Sequence, residues 1–474
     1  MELFLLLGLP VFMAAMVFVF KGSRSGKITL LVVTSIHLLT TVSFWQRPAD
    51  YQFNSFLGFD AMSQLVLNQT SILFFIISIY LLGYLKEEGN RPQPIFIACL
   101  LCLLSAMTLV TLSRHMGLLW IAIEATTLLT APLIHYYRSP QSIEATWKYL
   151  SISSLGIALG LLGTLFLAIS ATSTGSIFFS DILSGPVFLS PAWLKLSVIF
   201  LLVGYATKMG LAPMHTWKPD AYGEAPPPVG ALMAGAVTGC AILAVFRVVQ
   251  ICYHTHLQEF VSPILIVLGL FSLGITVIFI MDQKDFGRML GYSSVEHMGI
   301  VILGIGLGGG AVWASIFHML NNAFAKGLIF LVAGNLYQSF GSRKIENIRG
   351  VVHRLPITGI FLILGLIVIT GFPPFGIFYS ELLILKQAIV TQQYPVVFLY
   401  FLFISVVFFG YSGIIMGMAF GNSPDIPPQE SKTENFFSIA PLVLLAVILC
   451  FSGIFVPDFL YHSIDRCAAL LGTR

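Results

Sequence analysis

Five ionisable side chains stand inside stretches that are otherwise apolar. Glu124 lies in Trp120-Ile121-Ala122-Ile123-Glu124-Ala125-Thr126-Thr127, and Lys208 lies just ahead of Pro213. His318 and Lys326 fall within His318-Met319-Leu320-Asn321-Asn322-Ala323-Phe324-Ala325-Lys326, and Glu381 closes Phe378-Tyr379-Ser380-Glu381. In lipid, each such charge costs roughly 2.5–3.5 kcal/mol on insertion scales, so each needs a reason. His318, Asn322 and Lys326 follow one another at intervals of four and form one slightly drifting stripe on a helix. That ladder can hold water. A buried Glu124–Lys208 pair can change protonation when a partner charge moves away, because neighbouring charge and burial act oppositely on both groups. Lys suits such switching better than Arg, which stays protonated. These two are expected within direct or one-water reach of each other.

Taken singly, each has a structural reading: a Glu124–Lys208 pair can simply fix packing, and His318 can be a hydrogen-bonded core histidine. Taken together, five buried groups beside two broken helices point to proton or ion passage. His215, Thr238, His297 and Asn322 are secondary candidates. Lys148, Lys218, Asp220, Glu224, Asp285 and Glu296 fall nearer loops and read as solvated ends.

The elements that position these residues follow from composition. Of 474 residues, 57% are hydrophobic and 9% charged, against roughly a quarter charged in a soluble protein. Lipid must be the solvent. A spanning helix needs about 20 apolar residues, and the apolar runs give about fourteen. These are Leu3–Phe20, Ile28–Phe44, Val66–Leu85, Ile95–Leu112, Gly117–Tyr137, Tyr149–Ile169, Leu194–Leu211, Val229–Val249, Val261–Met281, Leu290–Leu307, Ala311–Tyr337, Ile357–Phe378, Val397–Phe420 and Phe437–Phe455. The runs are continuous rather than alternating, which argues against a barrel. The fold class is therefore an all-α polytopic membrane protein.

Two runs are interrupted, at Leu211-Ala212-Pro213-Met214-His215-Thr216-Trp217 and at Gly371-Phe372-Pro373-Pro374-Phe375-Gly376. Matched Pro/Gly interruptions are a sequence pointer to inverted repeats. The breaks lie five spans apart, which fits two five-helix units, and an odd number of helices inverts the second. The resulting division is 1–90 for three N-terminal helices, 91–253 and 254–420 for the repeats, and 421–474 for the last helix and a short tail.

Lys and Arg in the loops set the orientation. With the N-terminus outside, the cytoplasmic loops collect Lys21, Arg24, Lys27, Lys86, Arg91, Arg138, Lys148, Lys218, Lys284, Arg288, Arg343, Lys344, Arg349, Arg354 and Lys432. The opposite side keeps mainly Arg47, Arg114, Lys195, Arg466 and Arg474. Both termini are expected on the non-cytoplasmic side of a prokaryotic inner membrane. No basic residues precede the first run and no clean cleavage site follows it, so it reads as a span rather than a signal peptide. A net charge of +3, with no long basic stretch, gives no reason to expect nucleic acid. Cys99 and Cys102 have CxxC spacing but no His or acidic neighbours, which favours packing over redox or metal chemistry. No phosphate loop, nucleotide fold, metal cluster or catalytic triad is recognisable, so neither cofactor nor metal is expected.

The run Lys208-Met209-Gly210-Leu211-Ala212-Pro213-Met214-His215-Thr216-Trp217-Lys218-Pro219-Asp220-Ala221 resembles the signature of the antiporter-like subunits of respiratory complex I. Gly287-Arg288-Met289-Leu290-Gly291-Tyr292-Ser293-Ser294-Val295-Glu296-His297-Met298-Gly299 resembles the same family at its tenth helix. With Pro373-Pro374-Phe375-Gly376 and Ser380-Glu381, the pattern is similar in particular to the F component of hydrogenase-4-type, group 4 [NiFe] hydrogenase membrane arms. Related chains serve in Mrp-type sodium/proton antiporters.

The resemblance implies fourteen helices and a central charged axis. Glu124 and Lys208 would be the coupled pair of the first half-channel, His318 and Lys326 central relays, and Glu381 the terminal carboxylate of the second. It implies a proton-translocating subunit without redox chemistry of its own, among other membrane-arm subunits and a peripheral redox module with [NiFe]-like and iron–sulfur subunits. A secondary sodium/proton antiporter subunit, or a scaffold that has lost transport, are the alternatives. Some members place a Lys or His on the eighth helix where this chain has Gly239. Either water bridges that gap, with Thr238 beside it, or coupling is weaker. The short tail implies no long lateral helix.

Overall fold

The computed structural model describes residues 1–20, 23–87, 93–171, 176–183, 190–422 and 434–471. Lys21, Arg91, Lys432 and Arg474 of the loop-charge reading lie outside them. Among the described residues, twelve helices are long and apolar enough to cross a membrane, and two shorter apolar helices, Phe4–Phe20 and Pro356–Ile369, join them. The expected fourteen are present.

A π-helical turn (Phe4–Gly8) leads into α1 (Leu9–Phe20), followed by α2 (Ser23–Ser43) and α3 (Ala61–Glu87). The first five-helix unit holds α4 (Gln93–Leu112), α5 (Met116–Ile134) and α6 (Pro140–Ser170). Short α7 (Phe179–Leu183) then leads to α8 (Pro191–Met209) and α9 (Trp217–Glu224), the two pieces of a broken helix. The unit closes with α10 (Pro227–Leu232), a π turn at Met233–Val237, and α11 (Thr238–His254). The second unit holds α12 (Gln258–Ile280), α13 (Phe286–Leu307) and α14 (Gly310–Phe340), then short α15 (Val351–Arg354). Its broken helix is α16 (Pro356–Ile369) with α17 (Gly376–Val390), and α18 (Tyr394–Phe420) completes it. Finally come α19 (Phe436–Ile454) and α20 (Asp458–Leu470).

Local sequence explains where these helices start and stop. Ser139 accepts the Ser142 N–H at 3.0 Å ahead of Pro140, a side-chain cap followed by proline at the first helical position of α6. Asn435 and Ser438 cap α19 reciprocally. The breaks share one construction. Gly210 ends α8 at φ +79° and Gly371 follows α16 at φ +65°, the left-handed region that glycine enters freely. Each is followed three residues later by a proline after a cis bond, Pro213 and Pro374. The long helices α6 and α14, second before each break, are both 31 residues. The two units therefore repeat one design, and five crossings invert the second.

Three details depart from the sequence reading. The twelfth span does not stop at Phe378 but runs through α17 to Val390, because the break falls in its middle rather than near its end. Residues 51–59 form a small hairpin, pairing Tyr51 with Phe59 and Gln52 with Gly58. A 13-residue helix, α20, follows the last span and buries Ser463, Ile464, Cys467 and Ala468 on one side.

Polar pairs gather at the two ends of the bundle. At one, Lys148 meets Glu144 (2.7 Å) and Asp220 (2.9 Å), Arg288 also meets Asp220, and Arg343 meets Glu224 at 2.9 Å. At the other, Glu2 pairs with Arg47, Asp50 with Arg114, and Asp60 with Arg247. Asp60 also caps α3 by accepting from Ser63 N at 2.9 Å. Arg247 donates to both its oxygens, at 2.5 and 3.0 Å, and to Ser63 Oγ at 2.8 Å. Burial alone would push the Asp60 carboxyl up. The Arg247 charge, the Arg247 hydrogen bond and those of Ser63 outweigh it and hold the carboxyl below its ordinary value.

A depressed folded-state value means that the carboxylate contributes stability at neutral pH and loses that contribution as pH falls through the acid range. Arg247→Met leaves Asp60 charged and unpaired, and is expected to cost about 3–5 kcal/mol. Thermal unfolding in detergent at pH 7 reads this loss, and the gap between variant and wild type should narrow on acidification. A pH-independent gap would count against the pair as its cause.

Candidate functional site

The interior of the bundle carries a row of polar groups linking the two broken helices. In the first unit, Lys208 sits two residues before Gly210 and is 2% exposed. Its ammonium donates to Thr127 Oγ1 at 2.8 Å and to Tyr149 OH at 2.7 Å, joining α8 to α5 and α6. Tyr149 OH in turn bonds Thr130. Glu124, one turn from Thr127 on α5, is half-buried, and accepts from Ser154 Oγ at 2.8 Å while its second oxygen is unpartnered. Glu124 and Lys208 do not touch. They influence one another electrostatically without an ion pair, so of the expected direct or one-water reach the direct contact is absent.

The break itself frees carbonyls that lipid could not satisfy. Trp217 Nε1 donates to Thr207 O at 3.0 Å, and Lys218 Nζ to Met209 O at 2.7 Å. Ser272 Oγ, from α12 of the second unit, accepts Ala212 N–H at 3.0 Å and ties the halves together. His215 is buried within the break with Nδ1 unpartnered.

Lys218 was expected at a solvated end and is instead fully buried. The chain turns back into helix after the break, so α9 carries this residue inward. Lys218 and Lys326 lie close enough to repel each other. Glu296, likewise read as a solvated end, is buried ten residues into α13 and accepts from Tyr411 OH at 3.0 Å. Lys148, Asp220, Glu224 and Asp285 do sit at the open end.

The stripe on α14 is as its spacing predicted: His318, Asn322 and Lys326 are all buried. Lys326 donates to Ser293 Oγ on α13. His318 Nε2 faces His297 Nδ1 at 2.9 Å, and His318 Nδ1 faces Ser380 Oγ on α17 at 2.9 Å. Ser380 is also placed to donate to Ile377 O at 2.7 Å. His297 Nε2 makes no hydrogen bond, although the ring is fully buried.

This chain admits two proton orders. In one, Nδ1 of each imidazole carries hydrogen and Ser380 donates to Ile377. In the other, both Nε2 atoms carry it and Ser380 donates to His318. Passing one proton along the chain converts one order into the other, as a proton wire requires. Glu381 follows directly, half-buried against the second break. A Cβ on Gly371 would lie 3.3 Å from one carboxylate oxygen and nearer the other, so glycine makes room for the acid.

At Gly239 the space beside the backbone is taken by a neighbouring side chain. A Cβ there would meet Gln69 Nε2 at 2.8 Å, so a side chain from α3, outside both repeats, occupies the space. Gln69 donates to Gly235 O at 3.1 Å in the π turn. Thr238 donates to Met233 O at 2.7 Å and lies 3.4 Å from Tyr222 OH. Cys99 and Cys102 are half-buried free thiols packed beside the core of α4.

Residues 113–408 match the transmembrane family described as NADH:quinone oxidoreductase/Mrp antiporter. The Hydrogenase-4 component F homolog of Methylacidiphilum infernorum is 32% identical over 347 residues, 70% of this chain and 73% of that one. Among solved structures, a chain of an archaeal membrane-bound sulfane sulfur reductase superposes with a TM-score of 0.89 at 22% identity, covering 99% of this chain and 97% of its own. A chain of the Mrp complex from Dietzia superposes at 0.86 and 19% identity, covering 99% and 98%. These structural likenesses bear on the fold.

Proposed function

Because the chain belongs to the NADH:quinone oxidoreductase/Mrp antiporter transmembrane family as an antiporter-like membrane subunit, we propose that it passes protons along its buried axis within a redox-driven complex. One observation carries this reading. Lys208, Lys218 and Lys326 are each at most 2% exposed, and among the described residues none stands in an ion pair. An ammonium held permanently in such a place would be costly. A lysine that gains and loses its proton in turn is not.

The proposed order of transfer runs along the row from one broken helix to the other. Glu124 and Lys208 form the first station, with Thr127 and Tyr149 as hydroxyl partners. Lys218 and Lys326 are the second, where a proton arriving at one repels a proton on the other. His297, His318 and Ser380 then conduct to Glu381. The breaks at Gly210 and Gly371 bring water to the outer members, since freed backbone groups in lipid belong where a hydrated path is lined.

The units 91–253 and 254–420 act as two half-channels. The excess of basic residues on one side supports placing both termini outside the cytoplasm of a prokaryotic plasma membrane. The relative's name, a component of a hydrogenase, supports a place among other membrane-arm subunits; antiporter-like and small helical neighbours and a peripheral module with [NiFe]-like and iron–sulfur subunits belong to the same proposal.

The test is proton uptake by the purified complex in sealed vesicles, driven by its electron donor in sodium-free buffer. Uptake abolished by a protonophore supports proton passage. Uptake that appears only with a sodium gradient would favour sodium/proton antiport, and electron transfer without any ion movement would leave a scaffold.

A further inference from the structure

Two imidazoles and a carboxylate converge from three helices: His297 on α13, His318 on α14 and Glu381 on α17. One donor atom of each lies within 4.8 Å of the other two. We infer that this cluster binds a divalent transition-metal ion of the zinc class, which takes the place of the proton shared between the imidazoles. The binding stands on donor set and geometry alone. Its consequence for transport rests on the proton-passage reading.

The donor set selects the ion. Two imidazole nitrogens and one carboxylate oxygen form a three-ligand set in which zinc keeps its fourth position for water. Imidazole suits zinc, copper, iron and nickel, whereas magnesium and calcium prefer oxygen alone. A metal-bound histidine usually directs its other nitrogen to an oxygen that fixes the ring. The His318 ring is so equipped, since its Nδ1 faces Ser380 Oγ at 2.9 Å. His297 Nε2 is fully buried and has no hydrogen-bond partner. With Nδ1 on the metal, the His297 ring proton sits on that unpartnered nitrogen, and no competing bond holds the ring away from the site.

The fit needs small movements. Zinc–nitrogen bonds of about 2.0–2.1 Å in a tetrahedron place two ligand nitrogens about 3.3 Å apart. The facing nitrogens stand at 2.9 Å, so they separate slightly and each ring swings by about 35° to aim its lone pair off the N–N line at a shared tetrahedral centre. Glu381, half-buried at the break, supplies the rest by turning inward. Lys326 opposes the site, since its charge bears on both imidazoles. Sequence spacing could not reveal the cluster, because its members are 21 and 63 positions apart on separate helices.

The experiment is equilibrium binding of Zn²⁺ to the purified complex without turnover, with Co²⁺ and its visible absorption as a second probe. One zinc per chain is expected beyond those intrinsic to the complex. His297→Gln and Glu381→Gln should lose it. Ser380→Ala, a conservative change, should weaken it by about 10–100-fold, and Lys326→Gln should tighten it. Unchanged stoichiometry and affinity in all four would overturn the site, and Ser380→Ala keeps the test valid should a ligand variant fail to assemble. Zinc that binds here yet leaves proton uptake untouched would uphold the metal site and remove the imidazole pair from the transport path. Uptake in a complex that binds no zinc would do the reverse.

Discussion

Lys208→Ala is expected to bring redox-driven proton uptake down to the leak of vesicles lacking the complex, while the subunit still inserts and assembles. Its ammonium touches only Thr127 and Tyr149, both able to bond water in its absence. The loss should therefore fall on transfer and not on packing. A positioned proton-transfer group contributes a rate factor of about 10²–10⁴, so its removal should be visible against any leak. Lys208→Arg is expected to fail as well. Guanidinium keeps the charge but does not release its proton under accessible conditions, and its planar fork does not reproduce a point donor between two hydroxyls. Dye-reported uptake, measured beside the amount of assembled complex, decides the matter. Normal uptake by the Arg variant would show that a fixed positive charge suffices, and Lys208 would become an electrostatic anchor for Glu124.

The stripe on α14 was legible from spacing alone, because a four-residue interval on an uninterrupted helix fixes a common face whatever surrounds it. The paired breaks were legible for a similar local reason, since glycine and proline act on their own backbone. What could not be read was which way the chain turned after each break. Lys218 and Glu296 read as solvated ends because they fall nearer the loops in the sequence. Burial depends on where α9 and α13 pack, which no local pattern encodes. Gln69 illustrates the same limit. It lies in the third span, outside both repeats, yet closes the space at Gly239. Likewise the His297–His318 contact joins two helices whose sequences advertise two isolated histidines.

Lys218 gives the sharpest test of the axis, because two roles compete for it and three substitutions separate them. Its ammonium satisfies the Met209 carbonyl freed by the break, at 2.7 Å, which is a structural task. It also lies between the two halves within electrostatic reach of Lys326, which suits it to hand a proton across. Lys218→Gln keeps a hydrogen-bond donor but cannot titrate. Lys218→Met removes both functions, leaving a buried carbonyl unpaired at a cost of about 1–3 kcal/mol. Lys218→Arg keeps donor and charge but not release of the proton. If Lys218 is a relay, Gln should assemble with nearly native thermal stability yet lose uptake by roughly the 10²–10⁴ of a missing proton-transfer group. Met should lose uptake and stability together, and Arg should lose uptake while keeping assembly. If Lys218 serves only the break, Gln and Arg should both pump at the wild-type rate and Met alone should be impaired, through reduced assembly. That second pattern would leave the two halves without a titratable link at this point. Proton movement would then have to run through each half independently, with Ser272 and the Ala212 N–H tying them mechanically rather than conducting between them.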